Sequence, residues 1–272
     1  MNRFHAVQFW WLAHELMCLE KELGASLSKE WSPHVNAVMV FAEGHCKAIG
    51  LGEAAMLPLY SIKAELQKFD LTIDYATDIK PQLKAMRKGI EVELDKRRFA
   101  YVPPESSKFF AQERPFGDEV YVAFPSARFD LTEAGNCLAC GMNSAAGFHL
   151  MRAAEIALWE LGKDRQIPLA QSGKIEFSQW GVIISELEKA IEGITQWPNS
   201  PAKEDAHRFY NPLLVDIRAF NDGWRRHLAH VRKFQLPLAE VEALALCGHV
   251  ERFLKSMATK ISEGNHTAII WK

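Results

Sequence analysis

Apolar residues recur every third or fourth position along most of this chain, and that period restricts the fold to packed helices. Phe9, Leu12, Leu16, Leu19 and Leu23 set the pattern, which predicts an amphipathic helix within residues 4–25. Ser32-Pro33 restarts the chain, because proline suits a first helical turn. Helical rhythm then runs through 34–69, broken near Gly50-Leu51-Gly52, and resumes from Ile79 to Lys96. Long Val/Ile/Thr alternations are scarce, whereas Ala, Leu, Glu and Lys are plentiful. The fold class read from this is mainly all-α.

At Arg97 the pattern changes. Arg98-Phe99-Ala100-Tyr101-Val102 reads as a short extended segment, which Pro103-Pro104 ends. The Pro-, Gly-, Ser- and charge-rich stretch 103–125 reads as a connection, which places an N-terminal helical region over 1–115 and a second domain over 125–265. In the second domain, helices are expected at 129–141, from Asn143 or Ser144 to about Gly162, at 178–195, at 204–233 with a bend near Asn211-Pro212, and from Leu238 to Ile261. About five helices make a bundle.

With 48% hydrophobic and 24% charged residues, 272 residues suffice for a real core. The formal net charge of −2 argues against nonspecific coating of nucleic acid, so any contact with RNA needs a local basic patch. Five cysteines, an odd and sparse set, do not read as a disulfide framework, and no apolar run is long enough to span a bilayer. The expectation is a cytoplasmic protein without a membrane partner.

One segment carries chemistry: Trp224-Arg225-Arg226-His227-Leu228-Ala229-His230. On a regular α-helical wheel, Ile217, Phe220, Trp224, Leu228 and Val231 form the core stripe. Arg225, Arg226, Ala229 and His230 face away from it. Arginine is a permanently charged planar donor that stabilises a developing phosphorane, and histidine moves protons near neutrality. With a ribose 2′-OH as nucleophile, no metal is needed. Arg225, Arg226, His227, His230, Arg232 and Lys233 together supply a basic patch. The spacing alone also fits an ordinary solvated row of Asp222, Arg226 and His230.

The region 125–262 resembles the HEPN superfamily of helical-bundle proteins, whose hallmark is an arginine, four to six residues, and then a histidine late in the bundle. Here those are Arg225 and His230. The similarity extends to the small-residue turn after Leu131–Cys140 and to the Ala-rich helix Phe148–Glu155. The resemblance implies a metal-independent endoribonuclease without a cofactor, often a toxin or phage-defence effector, acting as a homodimer that brings two motifs together. It leaves room for an antitoxin or regulatory partner. In these roles Arg225 stabilises the transition state, His230 is the acid/base and Glu155 orients them. Arg226, His227, Asn221 and Arg232 are then candidates to bind the substrate. Active members mostly carry Asn, Asp or His after the arginine, where this chain has Arg226. The alternative is a non-catalytic HEPN-like module that binds RNA, nucleotides or a partner.

Competing readings attend the supporting residues. Glu155 shares a helix face with His149 and Arg152, so an ion pair with Arg152 competes with a role at Arg225. Asn221 also reads as a solvated helix position. Cys137 and Cys140 have metal-ligand spacing but no companion pair, and read as small packing groups with no metal.

Overall fold

The computed structural model describes residues 6–23, 31–71, 79–97, 101–168, 174–225, 228 and 237–265. The chain divides into two compact units, Met1–Phe99 and Ala100–Lys272.

The first unit consists of α1 (Ala6–Glu22), α2 (Ser32–Ala48), α3 (Glu53–Leu71) and α4 (Lys80–Asp95). The stripe expected from the sequence is the buried one: Leu12, Leu16, Leu19 and Leu23 join Val38, Met39, Leu59, Ile62, Leu83 and Met86 in one core. Proline occupies the first turn of α2 and of α4, where its missing N–H costs nothing. The break near Gly50 is real. Gly50 has φ +65, a conformation that glycine adopts without strain, and the Arg97 guanidinium donates to the carbonyls of Ile49 and Gly50. The side chain of Arg97 thus caps the C-terminal end of α2. Gly89 brings α4 onto α3 so closely that a Cβ there would lie 2.1 Å from the Ala54 carbonyl oxygen.

The second unit begins earlier than the sequence suggests. The stretch 103–125 is not a connection. A 3₁₀ turn at Pro104–Phe109 packs on a later helix, and a short α5 (Asp118–Ala123) follows. Phe116, Val120, Ala123 and Phe124 lie in the core. Proline, glycine and charge mask this small apolar set when only composition is read. A 3₁₀ turn at Pro125–Ala127 leads into α6 (Arg128–Ala139), then α7 (Asn143–Asp164), α8 (Trp180–Glu192), α9 (Pro201–Ala219) and α10 (Glu240–Ala258). The long α7 is the centre of this unit, packed against α6 and α10. Its sequence explains this. Ala146, Gly147, Ala153, Ala154 and Ala157 are all buried, and small residues admit close neighbours on several sides.

Among the described residues there is no strand. The expected extended segment falls partly on 98–100, outside them, and Tyr101 and Val102 have no regular structure. Among the described residues, extended pairing is a single bridge between Ser262 and Asn265. Pro212 does not end α9, which runs on to Ala219. The departure from α-geometry comes later, as a π-helical turn at Phe220–Arg225. Among the described residues, no helix is long and apolar enough to cross a membrane.

Candidate functional site

The π turn changes where the motif points. In an α-helix, five residues advance about 1.4 turns, which leaves Arg225 about 140° from Phe220 and clear of the core. With i→i+5 bonding, five residues close roughly one turn, so Arg225 returns toward the side of buried Phe220. The regular wheel therefore misplaces Arg225. Its guanidinium lies over the ring of Trp180, 5.2 Å from the centroid, and the side chain is half-buried. Trp180 is fully buried at the start of α8. A guanidinium within about 6 Å of an indole face is held by the ring quadrupole.

Glu155 reaches the same tryptophan from α7. The Trp180 indole Nε1 donates to Glu155 Oε1 at 2.5 Å. Glu155 and Arg225 thus meet through Trp180, whose buried N–H needs an acceptor. The competing ion pair of Glu155 with Arg152 does not form, because Arg152 turns to Asp130 instead. Trp180 is the residue that reading the sequence overlooked. Its signal was available: an indole on the same stripe as Ile183 and Leu187, whose N–H must find a partner.

Asn221 is not a solvated position. It is buried, and its amide Nδ2 donates to Asp222 Oδ1 at 2.9 Å. Trp224 and Leu228 are half-buried against the core. Leu228 lies close over α7, where a Cβ on Gly147 would come within 3.0 Å of its Cδ1. Arg226, His227, His230 and Arg232 lie outside the described residues.

Two further polar clusters have the same design. In the first, buried Asp130 on α6 accepts from His149 Nδ1 at 2.8 Å and from Arg152 Nε at 2.9 Å, both on α7. In the second, Asp216 on α9 accepts from His249 Nε2 at 2.7 Å and from Arg252 Nη2 at 3.2 Å, both on α10. Each uses a His and an Arg three residues apart, which share a helix face, and one carboxylate; Arg152 Nε also reaches the second oxygen of Asp130, at 3.1 Å. Asp130 was legible as an oddity, a charge beside Leu131 on the apolar side of α6.

At the far end of α7 lies a cavity of about 560 Å³, lined by Gly162, Lys163, Ile167, Ile175 and Phe177 among others. Its Lys163 is already paired with Glu160 at 2.8 Å and with Glu176 at 3.1 Å. Cys137 and Cys140 are free thiols, and burial raises the pKa of Cys137. Among the described residues, no group of three or more His, Cys, Asp or Glu is placed to hold a metal ion. Comparison of the chain with family models, with curated proteins and with solved structures gives no match.

Proposed function

We propose that the chain is a metal-independent endoribonuclease of HEPN type that acts in the cytoplasm as a homodimer, with the second bundle as its catalytic part and toxicity or phage defence as its role. The observation that supports this reading is the convergence on Trp180. Arg225 and Glu155, drawn from helices far apart in sequence, meet on one buried indole at a π turn, a feature frequent at functional sites. A guanidinium held over a ring is pre-oriented, and less of its rotamer freedom is lost when it binds phosphate.

In the reaction, the ribose 2′-oxygen bonds to phosphorus and the bond from phosphorus to the 5′-oxygen breaks. His230 takes the 2′-OH proton and returns a proton to the leaving 5′-oxygen. Arg225 stabilises the charge on the phosphorane. The products are a 2′,3′-cyclic phosphate and a 5′-OH. Glu155 acts through Trp180 as a positioning residue.

The test is cleavage of RNA by the purified chain in excess chelator, with the ends of the products identified. Wild type cleaves, and His230→Ala and Arg225→Ala do not. Equal cleavage by wild type and His230→Ala would falsify the proposal. The same half-buried seat of Arg225 favours a second reading, a non-catalytic module in which Arg225 only caps Trp180. In that case expression is harmless and Arg225→Ala changes stability or partner binding only.

A further inference from the structure

The two Asp–His–Arg clusters differ in one respect. Beside Asp216 the neighbouring ring is Phe220, which is fully buried, with its centroid 4.6 Å from that of His249. That cluster ties α9 to α10. Beside Asp130 the neighbouring rings are Phe129 and Phe148, which are 67% and 50% exposed. Their centroids lie 6.2 and 6.3 Å from that of His149, both edge-on. Arg152 keeps 54% of its side chain exposed and His149 keeps 24%, although the carboxylate that binds both is only 4% exposed.

The Asp216 cluster leaves its basic side chains equally open, Arg252 at 65% and His249 at 22%, so what sets the Asp130 cluster apart is the pair of exposed rings beside its donors. Asp130 engages Nε of Arg152 and Nδ1 of His149, which leaves the terminal guanidinium nitrogens and His149 Nε2 for a ligand. The carboxylate holds both side chains in place, so little freedom is lost when an anion binds. Two exposed aromatic rings beside fixed donors match a strand that alternates phosphates with planar bases.

We infer that Asp130, His149 and Arg152, with Phe129 and Phe148, form a binding site for single-stranded RNA. Arg152 and His149 hold a phosphate, and the two phenylalanine rings stack flanking bases. Asp130 is a positioning residue that touches no ligand. The choice of RNA rests on the ribonuclease reading, whereas the recognition itself does not depend on cleavage.

The experiment uses the full chain and a fluorescent 2′-O-methyl oligouridylate of about eight nucleotides, a length within the range of single-strand sites. This strand lacks the 2′-OH and cannot be cleaved. Binding is followed by anisotropy across a salt series. The wild type binds. The double variant Phe129→Ala/Phe148→Ala weakens binding roughly ten-fold or more, because each lost stack is costly. Both rings are exposed, so this variant melts with the wild type. Arg152→Gln lowers the salt slope by about one ion, while Arg252→Gln in the second cluster leaves binding in place. The inference is overturned if the wild type does not bind, if the phenylalanine variant binds as wild type, or if Arg252→Gln loses as much as Arg152→Gln. Loss of cleavage with binding intact counts against the ribonuclease reading alone. Cleavage that persists in the phenylalanine variant, together with undiminished binding, counts against this site alone.

Discussion

Whether Arg225 is seated on Trp180 can be measured as a coupling energy. Trp180→Leu removes the ring face and the indole N–H, and Arg225→Met removes the guanidinium while keeping an apolar stem. Each variant alone destabilises the second unit. For Trp180→Leu the cost is about 3 kcal/mol, from a fully buried ring replaced by a smaller side chain and a carboxylate left without its indole donor. Arg225→Met loses a cation–π contact at 5.2 Å, worth about 1 kcal/mol at a half-buried site. If the two groups interact, the double variant is less destabilised than the sum by about that same 1 kcal/mol. Calorimetry of the full chain, read at the transition of the second unit, supplies the four values. Additivity within about 0.5 kcal/mol refutes the reasoning, since that is the scatter expected of independent sites. The same cycle carries a corollary of the ribonuclease proposal. On that proposal, Trp180→Leu lowers the rate of RNA cleavage although Trp180 touches no substrate.

Three other outcomes follow from the geometry. Gly89→Ala places a methyl 2.1 Å from the Ala54 carbonyl oxygen, so α3 and α4 must separate. The first unit should lose about 2 kcal/mol, or about 8–16 °C in Tm, whereas Gly44→Ala on α2, with open space around it, should gain up to about 1 kcal/mol. A raised Tm for Gly89→Ala would contradict the close approach. Burial pushes the thiols of Cys46 and Cys247 up to about 11, so iodoacetamide at pH 8 should spare both and label half-exposed Cys18 and Cys140 first. Mass spectrometry showing Cys46 labelled as fast as Cys140 would count against a packed core there. Hydrogen bonds from Lys47 and Lys63 hold the Glu43 carboxyl down at about 2, from 4.5. A depressed carboxyl stabilises the fold above its unfolded pKa, and this contribution fades as pH falls from about 4.5 through about 2. Glu43→Gln should therefore flatten the acid limb of a Tm-versus-pH curve in that window, and an unchanged limb would show the pair to be idle.

Most helices were legible in the chain because their apolar period is long and regular. The stripe Leu12–Leu16–Leu19 and the turn at Gly50 needed no tertiary information. What escaped had a physical cause in each case. The six residues of α5 are too few to display a helical period, and they lie between Pro115 and Pro125. Pro212, read as a bend in α9, lies on the exposed side of a helix that continues to Ala219. The π turn at Phe220 adds a residue to the helical repeat without any breaker to announce it, apart from Gly223. That hidden residue turned a correct observation about spacing into a wrong orientation for Arg225. Trp180 and Asp130 were overlooked because a search for charged motifs does not ask which buried polar atoms lack a partner.

The two candidate sites share one helix, and this bears on how the proposed RNA contact is made on a chain of net charge −2. Arg152 and Glu155 are three residues apart on α7, about 4.5 Å along its axis and about 60° around it. Arg152 belongs to the Asp130 cluster, and Glu155 holds the tryptophan on which Arg225 rests. Within the Trp180 site, the charges of Glu155 and Arg225 balance. Within the Asp130 cluster, one buried carboxylate holds Arg152 and His149, and Arg152 keeps 54% of its side chain exposed. On the proposed reading, a strand held at Arg152 needs only the next turn of α7 to come alongside Glu155. On that proposal, the arrangement separates holding the strand from acting on it. With grip supplied at Arg152, the role proposed for Arg225 is to respond to charge that develops only in the transition state.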